Sequence, residues 1–324
     1  MTTILITGVA GFIGHRTSEM LLAEGYRIVG LDNMNNYYDN SLQEYRLNAL
    51  KKHEHFSFYY ADIRDAGKIN EIFAHHPFSA VVHLAAKTGV RDSIKNPHVY
   101  MATNTQGTLN ILEAMVKNNV KKLVFASTSS VYSGQELPFI ESLPTDSPIS
   151  PYAATKKAAE IICNTYHLLY GLDVSIVRYF TVYGPGGRPD MSYFKFIKSI
   201  EEGKPITIYG DGSQKRDFSY IDDIANGTVN ALKSVGYEIF NLGSNNGTYS
   251  LLDLIALIEK NVGKKAKIIY EPFDKSDMKA TWANIDKAIN VLGWQPTVSL
   301  EEGIERCVKW YLNNKSWVAN INIV

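Results

Sequence analysis

Short β-rich runs alternate with segments of helical periodicity through the first half of the chain, and this alternation limits the fold more than any other feature. Residues 4–7, 27–31, 56–61, 80–84 and 122–126 read as strands, with amphipathic stretches between them. A strand, a helix and a further strand in succession close as a right-handed crossover, so neighbouring strands run parallel and helices cover both sheet faces. The predicted class is α/β, a Rossmann-like doubly wound parallel sheet. Beyond residue 180 the order loosens, with Gly/Pro-rich connections at 184–189 and 210–213 and a helix-like segment at 251–261. The expected division is residues 1–180 as the doubly wound domain and 181–324 as mainly a smaller C-terminal lobe, with some later segments returning to the first domain.

Composition narrows the partners. Lys plus Arg and Asp plus Glu each total 33, so no global basic field is present to hold nucleic acid, and a small-molecule ligand is expected. Cys163 and Cys307 are the only cysteines, too few for a disulfide framework or a zinc cluster, and no metal site is predicted. The apolar opening at 4–6 lacks a basic leader and runs straight into a glycine-rich turn, and no apolar run is long enough to span a bilayer. A reducing cytoplasm fits these features.

The turn itself reads TGVAGFIG, which places Gly8, Gly11 and Gly14 after the first strand and at the start of a helix. Glycines there permit a tight turn, close backbone approach to a pyrophosphate and close helix-to-strand packing, while free helix N–H groups meet the anion. A turn that merely packs is the alternative. Asp32 decides against it: it ends the second strand, where a carboxylate accepts hydrogen bonds from ribose hydroxyls and repels a 2′-phosphate. NAD is therefore expected rather than NADP.

Tyr152 and Lys156 stand four residues apart in YAATK, on one face of a helix that begins after Pro151. A tyrosine, with an ordinary pKa near ~10, serves as a base near neutrality only if positive charge stabilises its phenolate. Lys156 and an oxidised nicotinamide would supply that charge. The segment ASTSSVY at 126–132 ends the fifth strand at the carboxyl edge of the sheet, where open α/β folds bind ligands. Thr128 would there hydrogen-bond the reacting oxygen. A surface Tyr and Lys, and a turn of self-satisfied hydroxyls, are the plain alternatives.

With these motifs in place, the chain resembles the NAD-dependent sugar-nucleotide epimerases and dehydratases of the extended short-chain dehydrogenase group. It is most similar to the UDP-glucuronate 4-epimerases among them. The resemblance rests on LDNMNNYYDNSL at 31–42, HLAAKTGVRDS at 83–93, RYFTVYGPGGRPDM at 178–191 and KRDFSYIDDI at 215–224. It implies further cofactor contacts from Phe12 and Ile13, from Asn33 and Asn36, and from Asp62 and Ile63 beside adenine. Leu84, Ala85, Ala86 and Lys87 would line the cofactor path, with Asn104 and Phe180 close by. Arg216 would clamp a substrate diphosphate, Arg188 and Arg91 would add positive charge for a diphosphate or carboxylate, and Asp277 would lie near a uridine ribose.

The chemistry implied is a transient oxidation at C4 of a UDP-sugar, with return of hydride to the opposite face. Thr181, Ser129 and Ser130 are the candidates to pin a glucuronate carboxylate against loss of carbon dioxide. Related galactose-type epimerases carry Asn where Thr181 stands, and UDP-glucuronate decarboxylases carry Glu where Ser130 stands. UDP-glucose or UDP-N-acetylhexosamine epimerisation, UDP-glucuronate decarboxylation and a non-catalytic NAD-binding regulator are the competing readings. After VY the chain has Ser133 before Gly134, and around Asp274, Lys275 and Lys279 it departs from its relatives. The resemblance also implies a homodimer formed through helices near 104–116 and 153–169.

Overall fold

A computed structural model describes residues 1–244, 247–273 and 278–323. The first half alternates as its sequence predicts. Strands β1 (Thr3–Thr7), β2 (Arg27–Asp32), β3 (Phe56–Tyr60), β4 (Ala80–His83), β5 (Lys122–Thr128) and β6 (Asp173–Tyr179) are separated by helices. These are α1 (Phe12–Ala23), α2 (Asn40–Leu50), α3 (Ala66–His75), α4 (Val90–Lys95), α5 (Pro97–Tyr100), α6 (Gly107–Lys117) and α7 (Pro151–Tyr170). A π-helical turn, Met101–Gln106, joins α5 to α6, and a 3-10 turn, Ser129–Tyr132, follows β5.

The second half contributes β7 (Thr181–Tyr183), α8 (Ser192–Glu201), β8 (Pro205–Tyr209), β9 (Lys215–Arg216), β10 (Phe218–Tyr220) and α9 (Ile221–Asn230). It continues with β11 (Tyr237–Leu242), β12 (Tyr249–Ser250), α10 (Leu251–Val262), β13 (Lys267–Glu271), α11 (Leu300–Asn313) and α12 (Lys315–Val318). Only β11 joins the main sheet, giving the seven-stranded order β3-β2-β1-β4-β5-β6-β11 with every pairing parallel. The remaining strands form two-stranded pairs.

Every residue of β1, β4 and β5 is buried, the continuous apolar run expected of strands covered on both faces. Two clusters fill the two sides of that sheet. One, around Val29, Val81, Ile111, Met115 and Ile176, packs α3, α6 and α7 onto it. The other includes Ile6, Val124 and Val177 together with Ile224, Phe240, Leu242 and Trp294 from the second half of the chain. Trp294 is anchored there by its indole N–H, which donates to the Asp223 carbonyl at 2.8 Å. A third cluster joins α8, α10 and α11 to β8 through Phe194, Ile197, Ile208, Leu254, Ile258 and Ile304. Chain order reverses between β1 and β4, which opens a crevice at the carboxyl ends of those strands. Among the described residues no helix is long and apolar enough to cross a membrane.

Candidate active site

A cavity of about 330 Å³ occupies that crevice. Its floor is the glycine turn: Gly8, Gly11, Phe12, Ile13 and Gly14 line it, with Asp32, Asn33, Ile63, Leu84, Ala85, Ala86, Lys87 and Phe180 around them. Gly8 adopts φ +71°, and a Cβ at Gly8 would stand 2.8 Å from the Ala85 nitrogen. The first turn of α1 holds no acidic residue, and no side chain caps it, so its N–H groups remain available to an anion. Asp32 accepts from the amides of Ala10 at 3.0 Å and Met34 at 2.9 Å, and its burial raises the carboxyl pKa. A fixed, little-solvated carboxylate beside an anion-accepting helix end suits the ribose and diphosphate of a dinucleotide.

The reacting pair projects from the start of α7. Ser150 caps the helix, its hydroxyl accepting from the Ala153 amide at 3.2 Å, and Pro151 occupies the first position. Lys156 is buried, with its ammonium 4.3 Å from the centroid of the Phe125 ring. Burial lowers its pKa to about 8, against the opposing pull of Cys163 and Glu160. Burial raises the Tyr152 phenol, opposed by a hydrogen bond from Thr128 and by the charge of Arg188. Arg188, which arrives on the loop after β7, thus adds a positive charge toward the phenol that the YAATK spacing does not reveal. His83, the nearest imidazole to this pair in the sheet, is tied to Thr7 at 2.7 Å and Thr108 at 3.1 Å. Burial, with the Lys156 charge adding to it, depresses His83 to about 3, so it stays neutral.

A second cavity of about 430 Å³ adjoins the first, and Thr128, Tyr152, Phe180 and Arg188 line both. Ser129, Ser130 and Thr181 give it hydroxyls, and Arg91, Arg188, Lys195 and Arg216 give it positive charge, with Asp190 the acid among the described lining residues. Arg188 forks onto Asp190 through Nε at 3.0 Å and Nη2 at 2.5 Å. Arg91 stacks 4.1 Å from the Tyr209 ring centroid, bringing α4 against β8 across the cavity, and Arg216 donates to the Lys215 carbonyl at 2.8 Å. Such a lining suits a ligand with a diphosphate or carboxylate and several hydroxyls.

Three expected contacts line neither cavity. Asn36 is exposed. Asp62 is committed to Arg64 at 2.7 and 2.9 Å and to Asn33 at 2.8 Å, and the Arg64 hydrogen bonds hold its carboxyl at about 2. Asn104 accepts from the Lys87 amide at 2.8 Å and donates to the Lys87 carbonyl at 3.0 Å and to Thr155 at 3.1 Å. It braces the wall from behind, between the Lys87 backbone and the helix of the reacting pair. Asp277, Asp274 and Lys275 lie outside the described residues. The departure at Ser133 falls beside the second cavity, while Tyr132 turns inward, stacks on Phe139 at 4.9 Å and donates to Asn241.

Sequence reasoning missed Tyr37, Arg64 and Lys195, all of which line a cavity. The Tyr37 ring lies 4.1 Å beneath the Lys87 ammonium and 5.7 Å from the Arg188 guanidinium. Nothing local distinguishes Lys195 on α8 from a surface lysine. It also missed Glu160 on the reacting helix and Arg178 on β6, a buried pair in which Arg178 Nε and Nη2 donate at 2.9 and 2.7 Å and Ser127 donates to the same carboxylate at 2.5 Å.

Comparison with known proteins accounts for this constellation. The sequence profile of the NAD dependent epimerase/dehydratase family matches residues 4–243. The chain belongs to that family. Among its curated members, the UDP-glucuronate 4-epimerase of Thermodesulfobacterium geofontis is 56% identical over 319 residues, which cover 98% of this chain and 99% of that one. UDP-glucuronate 4-epimerase 1 of Arabidopsis thaliana is 43% identical, over 96% of this chain and 77% of its own. Among solved members, the UDP-glucuronic acid 4-epimerase of Bacillus cereus, in complex with UDP-glucuronic acid and NAD, superposes with a TM-score of 0.91 at 38% identity. That match covers 97% of this chain and all of the other. A UDP-glucose 4-epimerase of Thermotoga maritima with UDP-glucose matches with a TM-score of 0.88 at 31% identity.

Proposed function

We propose that this family member is an isomerase that interconverts UDP-glucuronate and UDP-galacturonate through a transient 4-keto sugar, with NAD as its resident cofactor. The observation that carries the reading is the position of Tyr152 and Thr128 where the two cavities meet, so one phenol faces both the dinucleotide side and the sugar side. When bound, NAD supplies a hydride acceptor at C4 of the sugar and then returns that hydride. Tyr152 removes the 4-hydroxyl proton as the carbonyl forms and gives it back on reduction, so the proton is conserved over the cycle. Thr128 hydrogen-bonds the reacting oxygen and Arg188 favours the phenolate, while Lys156, one turn along the same helix, adds its positive charge. The glycine turn and the α1 N-terminus hold the dinucleotide diphosphate, and Asp32 holds the adenosine ribose.

Inversion requires the keto sugar to present its other face, so binding energy belongs on the nucleotide and freedom on the ring. Arg216 and Arg91 clamp the diphosphate. A 4-keto glucuronate carries its carboxylate β to the ketone and loses carbon dioxide when the breaking bond aligns with the carbonyl π system. Ser129, Ser130 and Thr181, with Arg188, hold that carboxylate out of alignment. Residues 1–180 serve as the dinucleotide-binding domain and most of 181–324 as the sugar-nucleotide lobe, in a cytoplasmic homodimer. Support for the dimer comes from α7, whose Ile161, Leu168 and Leu169 are 56%, 72% and 67% exposed. A monomeric mass in solution at micromolar protein would refute that assembly.

Incubation with UDP-glucuronate and NAD, followed by chromatography and mass detection of sugar nucleotides, tests the reaction. An isomer of unchanged mass, absent with Tyr152→Phe, is the expected product. A pentose product lacking the mass of carbon dioxide would make the chain a decarboxylase, and conversion of UDP-glucose alone would place it with the neutral-sugar epimerases.

A further inference from the structure

Arg46, on α2, is 1% exposed and carries a charge that no acid neutralises directly. Its Nε and Nη2 donate to the Gly186 carbonyl at 3.1 and 2.7 Å, and its Nη1 donates to the Ala10 carbonyl at 3.1 Å and the Tyr38 hydroxyl at 2.8 Å. The guanidinium carbon lies 5.7 Å from the Phe12 ring and 5.8 Å from the Tyr38 ring. All these acceptors are neutral, and among the described residues Arg46 makes no ion pair. A buried cation without a counter-ion is costly to a fold, and an anionic ligand held nearby would offset part of that cost.

The surroundings indicate which ligand. Ala10 belongs to the glycine turn, and its peptide is gripped at both ends: its carbonyl by Arg46, its amide by Asp32. Asp32 feels the Arg46 charge, yet both its oxygens are occupied by backbone amides rather than by the guanidinium. Phe12 and Tyr38, which sandwich the cation, line the first cavity, while Arg46 itself lies behind that wall. Its other anchor, Gly186, lies two residues before Arg188.

We propose that Arg46 is a further cofactor-binding determinant: a buried counter-charge, set behind the glycine turn, for the diphosphate of the dinucleotide. In the same position it ties that turn to the loop carrying Arg188. It acts through the field and through the Ala10 peptide, as a positioning residue. The inference rests on the reading of the first cavity as a dinucleotide site.

The test compares two ligands that differ in charge, adenosine and ADP-ribose, titrated by calorimetry into nucleotide-free protein. Arg46→Gln should weaken ADP-ribose about tenfold or more and adenosine less than about twofold. An equal loss for both ligands would mean that Arg46 only supports the fold, and unchanged ADP-ribose affinity would likewise overturn the proposal. Arg46→Lys provides a second route if the glutamine variant does not fold. A buried ammonium loses its proton far more readily than a guanidinium, so ADP-ribose affinity of this variant should fall relative to wild type between about pH 7 and 10, with adenosine unaffected. Wild type over the same range controls for the groups that face the site, namely His15 on α1, Asp32 at the end of β2, Tyr38, and Tyr193 on α8. A lysine variant that tracks wild type throughout would refute the charge role. Wild type that binds no ADP-ribose would instead sink the dinucleotide reading, an outcome distinct from strong binding that Arg46 does not influence.

Discussion

Replacing Gly14 by alanine tests whether the glycine turn is built for close approach. A Cβ at Gly14 would stand 2.2 Å from the Gly8 carbonyl oxygen and 3.0 Å from both the Gly8 carbonyl carbon and Val9 Cα. These are backbone atoms. The Gly8 carbonyl already accepts from the Gly11 amide at 3.0 Å, and the Gly8 amide donates to Leu31 at 2.8 Å, so the turn cannot yield alone. An ordinary contact requires the turn and α1 to separate by roughly 1 Å. Overpacking of that kind costs about 1–3 kcal/mol, against which alanine regains about 1 kcal/mol of helix propensity. The net expectation is a loss of up to about 2 kcal/mol, read as a fall of up to a few degrees in the thermal midpoint of nucleotide-free protein. A displacement of this size also spoils at least one charge-assisted hydrogen bond from the α1 N-terminus, so ADP-ribose should bind about tenfold more weakly in calorimetry. Gly67→Ala, in the first turn of α3, is the control: its Cβ meets only the Asp65 side chain at 3.3 Å, so it should leave ADP-ribose binding unchanged and the thermal midpoint at or slightly above wild type. A Gly14→Ala protein that melts at or above wild type and binds ADP-ribose equally well would refute the reasoning.

Tyr152→Phe should reduce turnover by about a hundredfold to ten-thousandfold while leaving NAD binding intact, measured by product formation beside a titration. The Lys156 ammonium falls from an ordinary value of 10.5 to about 8 on folding, so the unfolded chain holds the extra proton between those values and wild-type stability rises with pH across that window. Lys156→Met abolishes that rise and melts higher than wild type at pH 7, by about 3 kcal/mol before relaxation; a wild-type profile flat from pH 8 to 10.5 would contradict it. Glu160→Ala leaves Arg178 buried and uncompensated and should cost about 3–5 kcal/mol in chemical denaturation, whereas a loss under about 1 kcal/mol would show that water or another acid takes over. Thr181→Val should raise the fraction of UDP-glucuronate that leaves as carbon dioxide and pentose product, detected by mass; an unchanged ratio would remove Thr181 from the retention of the carboxylate.

Local sequence determined what depends on neighbours along the chain. Alternating strands and helices dictated parallel crossovers, the TGVAGFIG turn followed from the backbone freedom of glycine, and YAATK set Tyr152 and Lys156 on one helical face because four residues make about one turn. Tertiary structure decided what depends on distant segments meeting. β11 returns to the main sheet beside β6, fifty-eight positions after the end of that strand, because its apolar face completes the core with Trp294 and Ile224. Arg188 brings a charge toward the phenol from a loop distant in sequence, and Asn104 braces the wall of the cavity. Arg46 reads as an ordinary helix residue until Ala10 and Gly186 close on it from opposite sides. Residue periodicity records which face of an element is buried, but it carries no record of which distant carbonyl or charge that face will meet, and in this protein those meetings shape the site.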